Sequence, residues 1–188
     1  LGQSKSESAR DSILAINPDI IVHSHFEFIT AENVLERIEP YDFVIDGSDN
    51  FSTKFLLNDA CVIAGVPFSH GGVLRFDGQT MTIIPGETCC YRCVFKKPPL
   101  PGAVQTCSMA GILGSVAGIL GTIQATETIK YLTGAGELLR DSILFFDALE
   151  MEFRKIPVSR QVDCPVCGAN PTITKPTDTD PNICDLNR

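Results

Sequence analysis

The segment YDFVIDGSDNFSTKFLLNDACVIAGVPFSHGGVL, residues 41–74, decides the fold of the chain. Its apolar run at 41–46 predicts a short strand, and the pattern over 51–64 predicts a helix that ends at Gly65. The next apolar run, at 66–74, predicts a second strand. A strand, a helix and a strand in this order form a right-handed crossover between parallel strands. We therefore expect an α/β protein.

The segments around this unit predict further helices and strands. The Asp77-Gly78 pair is typical of a β-hairpin turn, and residues 85–108, which are rich in Pro and Cys, predict a long irregular loop. No G-x-G-x-x-G motif is present. We expect a Rossmann-like mixed sheet that is parallel in its first half and antiparallel in its second. The remaining predicted elements are helices at about 4–16, 31–38 and 110–133, and strands at 19–28, 79–84 and within 141–156.

Length and charge restrict the class of protein. With 188 residues, the chain is expected to form one domain over 1–168, followed by an extended or disordered tail at 169–188. The net charge of −8 disfavours binding to nucleic acid or to an anionic membrane, because such binding depends on clustered Lys and Arg. The most apolar run, 110–121, is shorter than the roughly 20 residues that span a bilayer. Because the sequence shows no secretory signal, we expect a cytoplasmic protein.

Two cysteine pairs have the spacing of zinc ligands. Cys90-Tyr-Arg-Cys93 and Cys164-Pro-Val-Cys167 each place two thiolates on one tight turn, and together they supply the four ligands of a structural zinc ion. The alternatives are a redox-active pair or two unrelated pairs. A redox pair normally opens a helix directly after a strand, and neither pair has that predicted setting. We therefore predict a zinc site that ties the end of the chain to its middle.

The residues that follow the strand at 41–46 are polar. In open α/β sheets, ligands bind beyond the carboxyl ends of the strands, where Asp49 supplies a carboxylate suited to Mg²⁺. Asn50, Lys54 and Asn58 follow at intervals of four residues and predict one polar stripe along the next helix, facing the same ligand. The alternative is that these residues cap the helix and cover a solvated face.

Cys107 and the three histidines stand apart from these groups. Cys107 lies directly before the helix predicted at 110–133, and a helix N-terminus favours the reactive thiolate. The alternative is an unreactive cysteine in a loop. His23, His25 and His70 lack the grouping of a metal site, so we expect them to be structural or solvated.

Seven motifs in register resemble the ThiF/MoeB/HesA family, the bacterial relatives of ubiquitin-activating enzymes. The resemblance extends from Leu1 to about Gly168. The motifs, in chain order, are Gly2-Gln-Ser-Lys5, Ile16-Asn17-Pro18, Asp46-Gly-Ser-Asp49-Asn50, Cys90-Tyr-Arg-Cys93, Cys107-Ser-Met-Ala-Gly111, Phe146-Asp-Ala-Leu149 with Phe153-Arg154, and Cys164-Pro-Val-Cys167-Gly168.

The resemblance implies an enzyme that uses Mg-ATP to adenylate the C-terminal glycine of a ubiquitin-like sulfur carrier of ThiS or MoaD type. The acyl-adenylate then receives sulfur from a persulfide donor, in thiamine or molybdopterin biosynthesis. The family also implies a homodimer. The alternative from another class is a non-catalytic, zinc-stabilised module that binds the carrier or dimerises. A nicotinamide-dependent oxidoreductase would explain neither the cysteine pairs nor Cys107.

Site residues follow from the same resemblance. It implies that Lys5 contacts the nucleotide phosphates, that Asp49 binds magnesium and supports adenylation, and that Asn50 contacts the nucleotide. It implies that the four paired cysteines bind structural zinc. Cys107 matches a cysteine that, in some members, links covalently to the carrier or its sulfur.

The opening unit of the family has no counterpart in the sequence. Family members begin with a βαβ unit that carries a glycine-rich loop, an acidic residue for the ribose and a phosphate-binding arginine, all of which would precede Leu1. We therefore expect residues 1–168 to form the second part of the ThiF/MoeB fold. We also expect catalysis to require the parent protein rather than this chain alone.

Overall fold

The fold is a five-stranded mixed sheet with helices on both faces. The computed structural model describes residues 2–99 and 110–178. In chain order, its elements are α1 (Lys5–Ile16), α2 (Val34–Ile38), β1 (Val44–Asp46), α3 (Phe51–Ala64), β2 (Phe68–Leu74), β3 (Asp77–Ile83), α4 (Tyr91–Val94), α5 (Gly114–Thr133), β4 (Ser142–Asp147) and β5 (Glu152–Pro157).

The strands lie in the sheet in chain order, from β1 to β5. The β1–β2 pair is parallel, as expected for strands joined through α3, and the other three pairs are antiparallel. The predicted mixed sheet is therefore confirmed. Within the described residues, no helix has the length and apolar character that a membrane crossing requires.

The β2–β3 hairpin turns two residues earlier than predicted. Leu74 pairs with Asp77, so Arg75 and Phe76 form the turn, and Gly78 lies within β3. Gly78 is small because α5 packs over it: an added Cβ would lie 2.7 Å from Cδ1 of Leu120. The glycine that indicated a turn therefore serves helix packing instead.

The strand predicted at 19–28 does not form. Residues 21–26 have neither helix nor strand structure, and large apolar side chains of the predicted strand are exposed, including Phe26 at 83% and Phe28 at 77%. A strand needs a hydrogen-bonded neighbour, and no segment among residues 2–99 and 110–178 pairs with this one. The apolar pattern alone therefore gave a wrong prediction.

The two faces of the sheet carry different helices. Side chains alternate along β2, so His70 and Gly71 face opposite sides. His70 stacks on Tyr91 of α4, with 4.4 Å between ring centroids, whereas a Cβ on Gly71 would meet the side chain of Gln124 in α5. The main apolar core lies on the His70 side, where α3 buries Phe55, Leu56 and Cys61.

Helix α5 presents one buried and one exposed face. It begins at Gly114 rather than near residue 110, and its buried residues are Val116, Leu120, Gln124 and Glu127. Its other face carries glycines and the exposed Ile129 and Leu132. The helix therefore packs against the sheet through one face, while its second face stays open in the single chain.

The buried Glu127 carboxylate joins α5 to the sheet and to the segment before β4. Its Oε2 accepts hydrogen bonds from Oγ1 of Thr82 at 2.7 Å and from the Leu139 amide at 2.6 Å, and Oε1 accepts one from Nζ of Lys130 at 2.5 Å. The carboxylate therefore satisfies three donors around it.

We expect Glu127→Ala to lower the free energy of unfolding by about 1–3 kcal/mol, because it leaves buried donors without an acceptor. Urea unfolding measures the effect. The control is Glu137→Ala at an exposed position, which should change stability by less than about 0.5 kcal/mol. Equal stabilities of the two variants would contradict the assignment.

Candidate functional site

The loop between β1 and α3 lies at the carboxyl end of a parallel strand. β1 ends at the buried Asp46, and Asn50 caps α3 by accepting a 2.8 Å hydrogen bond from the Thr53 amide. Ser48 is half-buried, and Asp49 is exposed. The structure therefore places the Asp49 carboxylate at the edge where this class of sheet binds ligands.

The Asp46 carboxylate is the centre of a buried polar network beneath this loop. Its Oδ1 accepts hydrogen bonds from the amide and hydroxyl of Ser48, at 2.9 and 2.6 Å. Its Oδ2 contacts Nζ of Lys54 at 3.1 Å and Nδ1 of His70 at 3.0 Å. Burial favours the neutral acid, but the hydrogen bond to His70 and the charge of Lys54 outweigh it and lower the pKa of Asp46 to about 2.

The side chains of Lys54 and Asn58 form hydrogen bonds inside the protein and do not face solvent beside Asp49. The Lys54 ammonium donates to Asp46 and to the carbonyl of Gly71, and only 8% of the residue is exposed. Asn58 is fully buried and accepts a 2.8 Å hydrogen bond from the Tyr91 amide. The predicted ligand-facing stripe is therefore corrected: burial turns both side chains towards internal partners.

The other predicted site residues lie in different surroundings. Lys5 is exposed at the start of α1, and its role stays a prediction. Asn50 caps α3, as the alternative interpretation of the sequence proposed, and this contact occupies its Oδ1. Cys107 lies outside the described residues. The sequence analysis gives Asp46 no role and expects His70 to be structural or solvated; the structure places both directly beneath the loop.

The four paired cysteines meet in one cluster. Their sulfur atoms all lie within 4.8 Å of one another. The separations are 3.6 Å for Cys90 and Cys164, 3.4 Å for Cys93 and Cys167, and 4.0 Å for Cys90 and Cys93. Four thiolates bound to one tetrahedral zinc at about 2.3 Å would be about 3.8 Å apart. The donor set and its spacing thus fit such an ion.

The cluster also has the electrostatics of a metal site. Hydrogen bonds from Cys167 and Cys90 hold the pKa of the Cys93 thiol below its usual range, while hydrogen bonds with Cys167 and Cys93 raise that of Cys90. Proximity therefore prevents all four sulfurs from carrying charge together, and a bound cation would remove that conflict. The Gln161 amide lies 3.4 Å from Sγ of Cys93 and supports a thiolate there.

Helix α3 fixes the first cysteine turn to the core. The buried carboxylate of Asp59 accepts hydrogen bonds from Nε and Nη2 of Arg92, at 2.6 and 2.7 Å. The same guanidinium lies 4.7 Å above the ring of Phe55. Together with the contact from Asn58 to Tyr91, these bonds hold the residues between Cys90 and Cys93 in place.

The second cysteine turn requires a glycine after Cys167. An added Cβ on Gly168 would lie 2.5 Å from the carbonyl oxygen of Cys164 and 2.6 Å from that of Val162. Both neighbours are backbone atoms, so a side chain here would displace the turn that carries two of the four sulfurs.

We expect Gly168→Ala to lower the melting temperature and the content of bound metal together, because it shifts the ligand-bearing backbone. Differential scanning calorimetry and elemental analysis measure the two effects. The control is Asn170→Ala, at an exposed position two residues further along the chain, which should change stability by less than about 0.5 kcal/mol and leave the metal content unchanged. An unchanged metal content in Gly168→Ala would contradict the account of this turn.

The buried His70 predicts a pH-dependent stability. Burial lowers the pKa of His70 below its ordinary value of 6.5, so the unfolded chain takes up this proton more readily than the folded protein. The neutral His70 therefore makes its whole contribution to the free energy of unfolding above about pH 6.5, and this contribution decreases as the pH falls below that value.

Below about pH 6.5, the free energy of unfolding of wild type should fall relative to that of His70→Phe by up to about 1.4 kcal/mol per pH unit. Urea unfolding of both proteins between about pH 7.5 and about pH 5.5 measures this. His23 and His25 are present in both proteins and cancel in the difference. A difference that is independent of pH would show that His70 titrates normally.

Comparison with protein families finds one match over most of the chain. The ThiF family model matches residues 1–166. A sulfur carrier protein adenylyltransferase from Thermus thermophilus is 44% identical over 177 residues, which cover 92% of this chain and 65% of the relative. The SAMP-activating enzyme E1 of Haloferax volcanii is 43% identical over 168 residues, which cover 89% and 62%. The chain spans less than two thirds of the length of either relative.

Solved structures share the fold. The crystal structure of E. coli MccB matches with a TM-score of 0.72 at 19% identity, over 91% of this chain and 52% of MccB. E. coli MccB crystallised with ATP matches with a TM-score of 0.71, also at 19% identity, over 89% of this chain and 52% of that one. At this level of identity the similarity establishes the architecture alone.

Proposed function

The chain belongs to the ThiF family, and from this membership we propose that it acts as an ATP-dependent adenylyltransferase on the C-terminal glycine of a ubiquitin-like sulfur carrier. The observation that carries the proposal is the position of Asp49, exposed at the carboxyl end of β1 on a loop fixed from beneath, in a chain whose relatives bear the names of carrier-activating enzymes. The pathway would be thiamine or molybdopterin biosynthesis.

Adenylation depends mainly on how the carrier carboxylate and ATP are positioned relative to each other. A carboxylate is a weak nucleophile, so its attack on the α-phosphate of ATP depends on alignment and on stabilisation of phosphate charge. Asp49 would hold the magnesium ion that accompanies ATP, and a bound magnesium ion neutralises phosphate charge. We propose that Lys5 contacts the phosphates and that Asn50, besides capping α3, contacts the nucleotide.

The remaining assignments complete the proposal. The Cys90, Cys93, Cys164 and Cys167 cluster would bind a structural zinc ion. We assign Lys54 and Asn58 to support of the site, since both contact protein groups. Cys107 would link to the carrier or its sulfur, which a persulfide donor supplies. The exposed face of α5 would form the interface of a homodimer in the cytoplasm.

ATP–pyrophosphate exchange in the presence of a carrier ending in Gly-Gly tests the proposed function. We expect exchange by the wild-type protein extended upstream of Leu1, and not by residues 1–188 alone. Asp49→Asn should reduce exchange by about 10²- to 10³-fold, because it removes charge from the proposed magnesium ligand.

Asp42→Asn, at another exposed aspartate close to β1, is the matched control and should retain activity. Absence of exchange in the extended protein with every carrier, alongside carrier binding, would favour a non-catalytic binding module. Full activity of Asp49→Asn would contradict the role of that residue.

A further inference from the structure

His70 is a buried imidazole with one used and one unused nitrogen. Its Nδ1 lies 3.0 Å from Oδ2 of Asp46, and 2% of the residue is exposed. Its Nε2 is buried without a hydrogen-bond partner among the described residues. An unsatisfied buried nitrogen is costly, and a phenylalanine would fill the same space against Tyr91 without that cost. The benefit of a histidine here therefore lies in its Nδ1.

The chemistry of the pair fixes which atom carries the proton. Asp46 is ionised at neutral pH, since its pKa is lowered to about 2, so its oxygens can only accept hydrogen bonds. Burial lowers the pKa of His70, so the ring is neutral. The proton must then reside on Nδ1, and His70 acts as a fixed, uncharged donor to Asp46.

Hydrogen bonds connect Asp46 to the loop at 47–50. Lys54 and His70 approach the same oxygen, Oδ2, from α3 and β2. With Oδ2 held by two donors, rotation of the carboxylate is restricted and Oδ1 points at Ser48, which binds it through both its amide and its hydroxyl. Asp49 is the next residue, so its position depends on this arrangement.

We propose that His70 is a positioning residue for the loop at 47–50: its Nδ1–H orients Asp46, which holds Ser48 and thereby sets the place of Asp49. The effect on catalysis rests on the proposed function. The effect on the order of the loop does not, because it follows from the hydrogen bonds alone.

Two substitutions of His70 distinguish the effect of its hydrogen-bond donor from the effect of its ring packing. His70→Phe retains a ring that can pack on Tyr91 and lacks the donor, whereas His70→Asn loses the ring and retains a donor at the position of Nδ1. Amide hydrogen exchange of residues 47–50, followed by NMR in the protein extended upstream of Leu1, should be about tenfold faster in His70→Phe than in wild type. In His70→Asn it should stay within about twofold of wild type, even if that variant melts at a lower temperature.

If His70 only packed against Tyr91, the loop would instead exchange at the wild-type rate in His70→Phe and faster in His70→Asn. Wild-type protection of the loop in His70→Phe, or a loop in His70→Asn as fast as in His70→Phe, would overturn the proposal. Activity supplies the second readout: kcat for ATP–pyrophosphate exchange should fall about tenfold in His70→Phe and recover in His70→Asn. A loosened loop with unchanged kcat would also overturn the positioning role. A wild-type protein without exchange would overturn the proposed function alone, because hydrogen exchange is measured without it.

Discussion

The ionised carboxylate of Asp46 is the interaction on which the organisation of the site depends. It ends β1 in a position that is 1% exposed, where a charge is tolerated only with a counter-ion and a full set of donors. Lys54 from α3 supplies the counter-ion, and His70 from β2 and Ser48 from the loop supply donors. Its backbone carbonyl accepts a 3.1 Å hydrogen bond from Gln124, so α5 joins the same point from the other face of the sheet. Two helices and two strands therefore meet at one residue.

Helix α3 connects this point to the cysteine cluster. Its first turns carry the cap Asn50 and the counter-ion Lys54, and its next turns carry Asn58 and Asp59, which hold the residues around Cys90 and Cys93. A metal ion bound by all four sulfurs would in turn fix the segment at 164–167. The buried polar residues of α3 thus form a continuous support between the loop and the cysteine cluster, which explains why a core helix contains a lysine, an asparagine and an aspartate.

Local patterns predicted the parts of this structure that depend on neighbours in the sequence. The C-x-x-C spacing contains the geometry of half a metal site, and the strand–helix–strand pattern at 41–74 places Asp49 at the sheet edge. The partnership of Asp46 with His70 spans 24 residues and leaves no periodic signal. For the same reason, the sequence pattern of α3 indicates a ligand-facing stripe where the structure has internal hydrogen bonds of Lys54 and Asn58. The strand prediction for residues 19–28 is wrong because an apolar, β-branched composition cannot supply a pairing strand.

An exposed carboxylate held in place by a buried network suits a reaction limited by alignment of a weak nucleophile with a phosphate. Label transfer to a Gly-Gly-ending carrier is the most direct measurement of that reaction, with ATP labelled either at the α-phosphate or at the γ-phosphate. Adenylation by this protein, extended upstream of Leu1, predicts carrier labelled from the α-phosphate alone, at a rate that falls about 10²- to 10³-fold when Asp49 is replaced by asparagine. Labelling from the γ-phosphate, or α-phosphate labelling that persists without the Asp49 carboxylate, would contradict the assignment of this loop as the adenylating site.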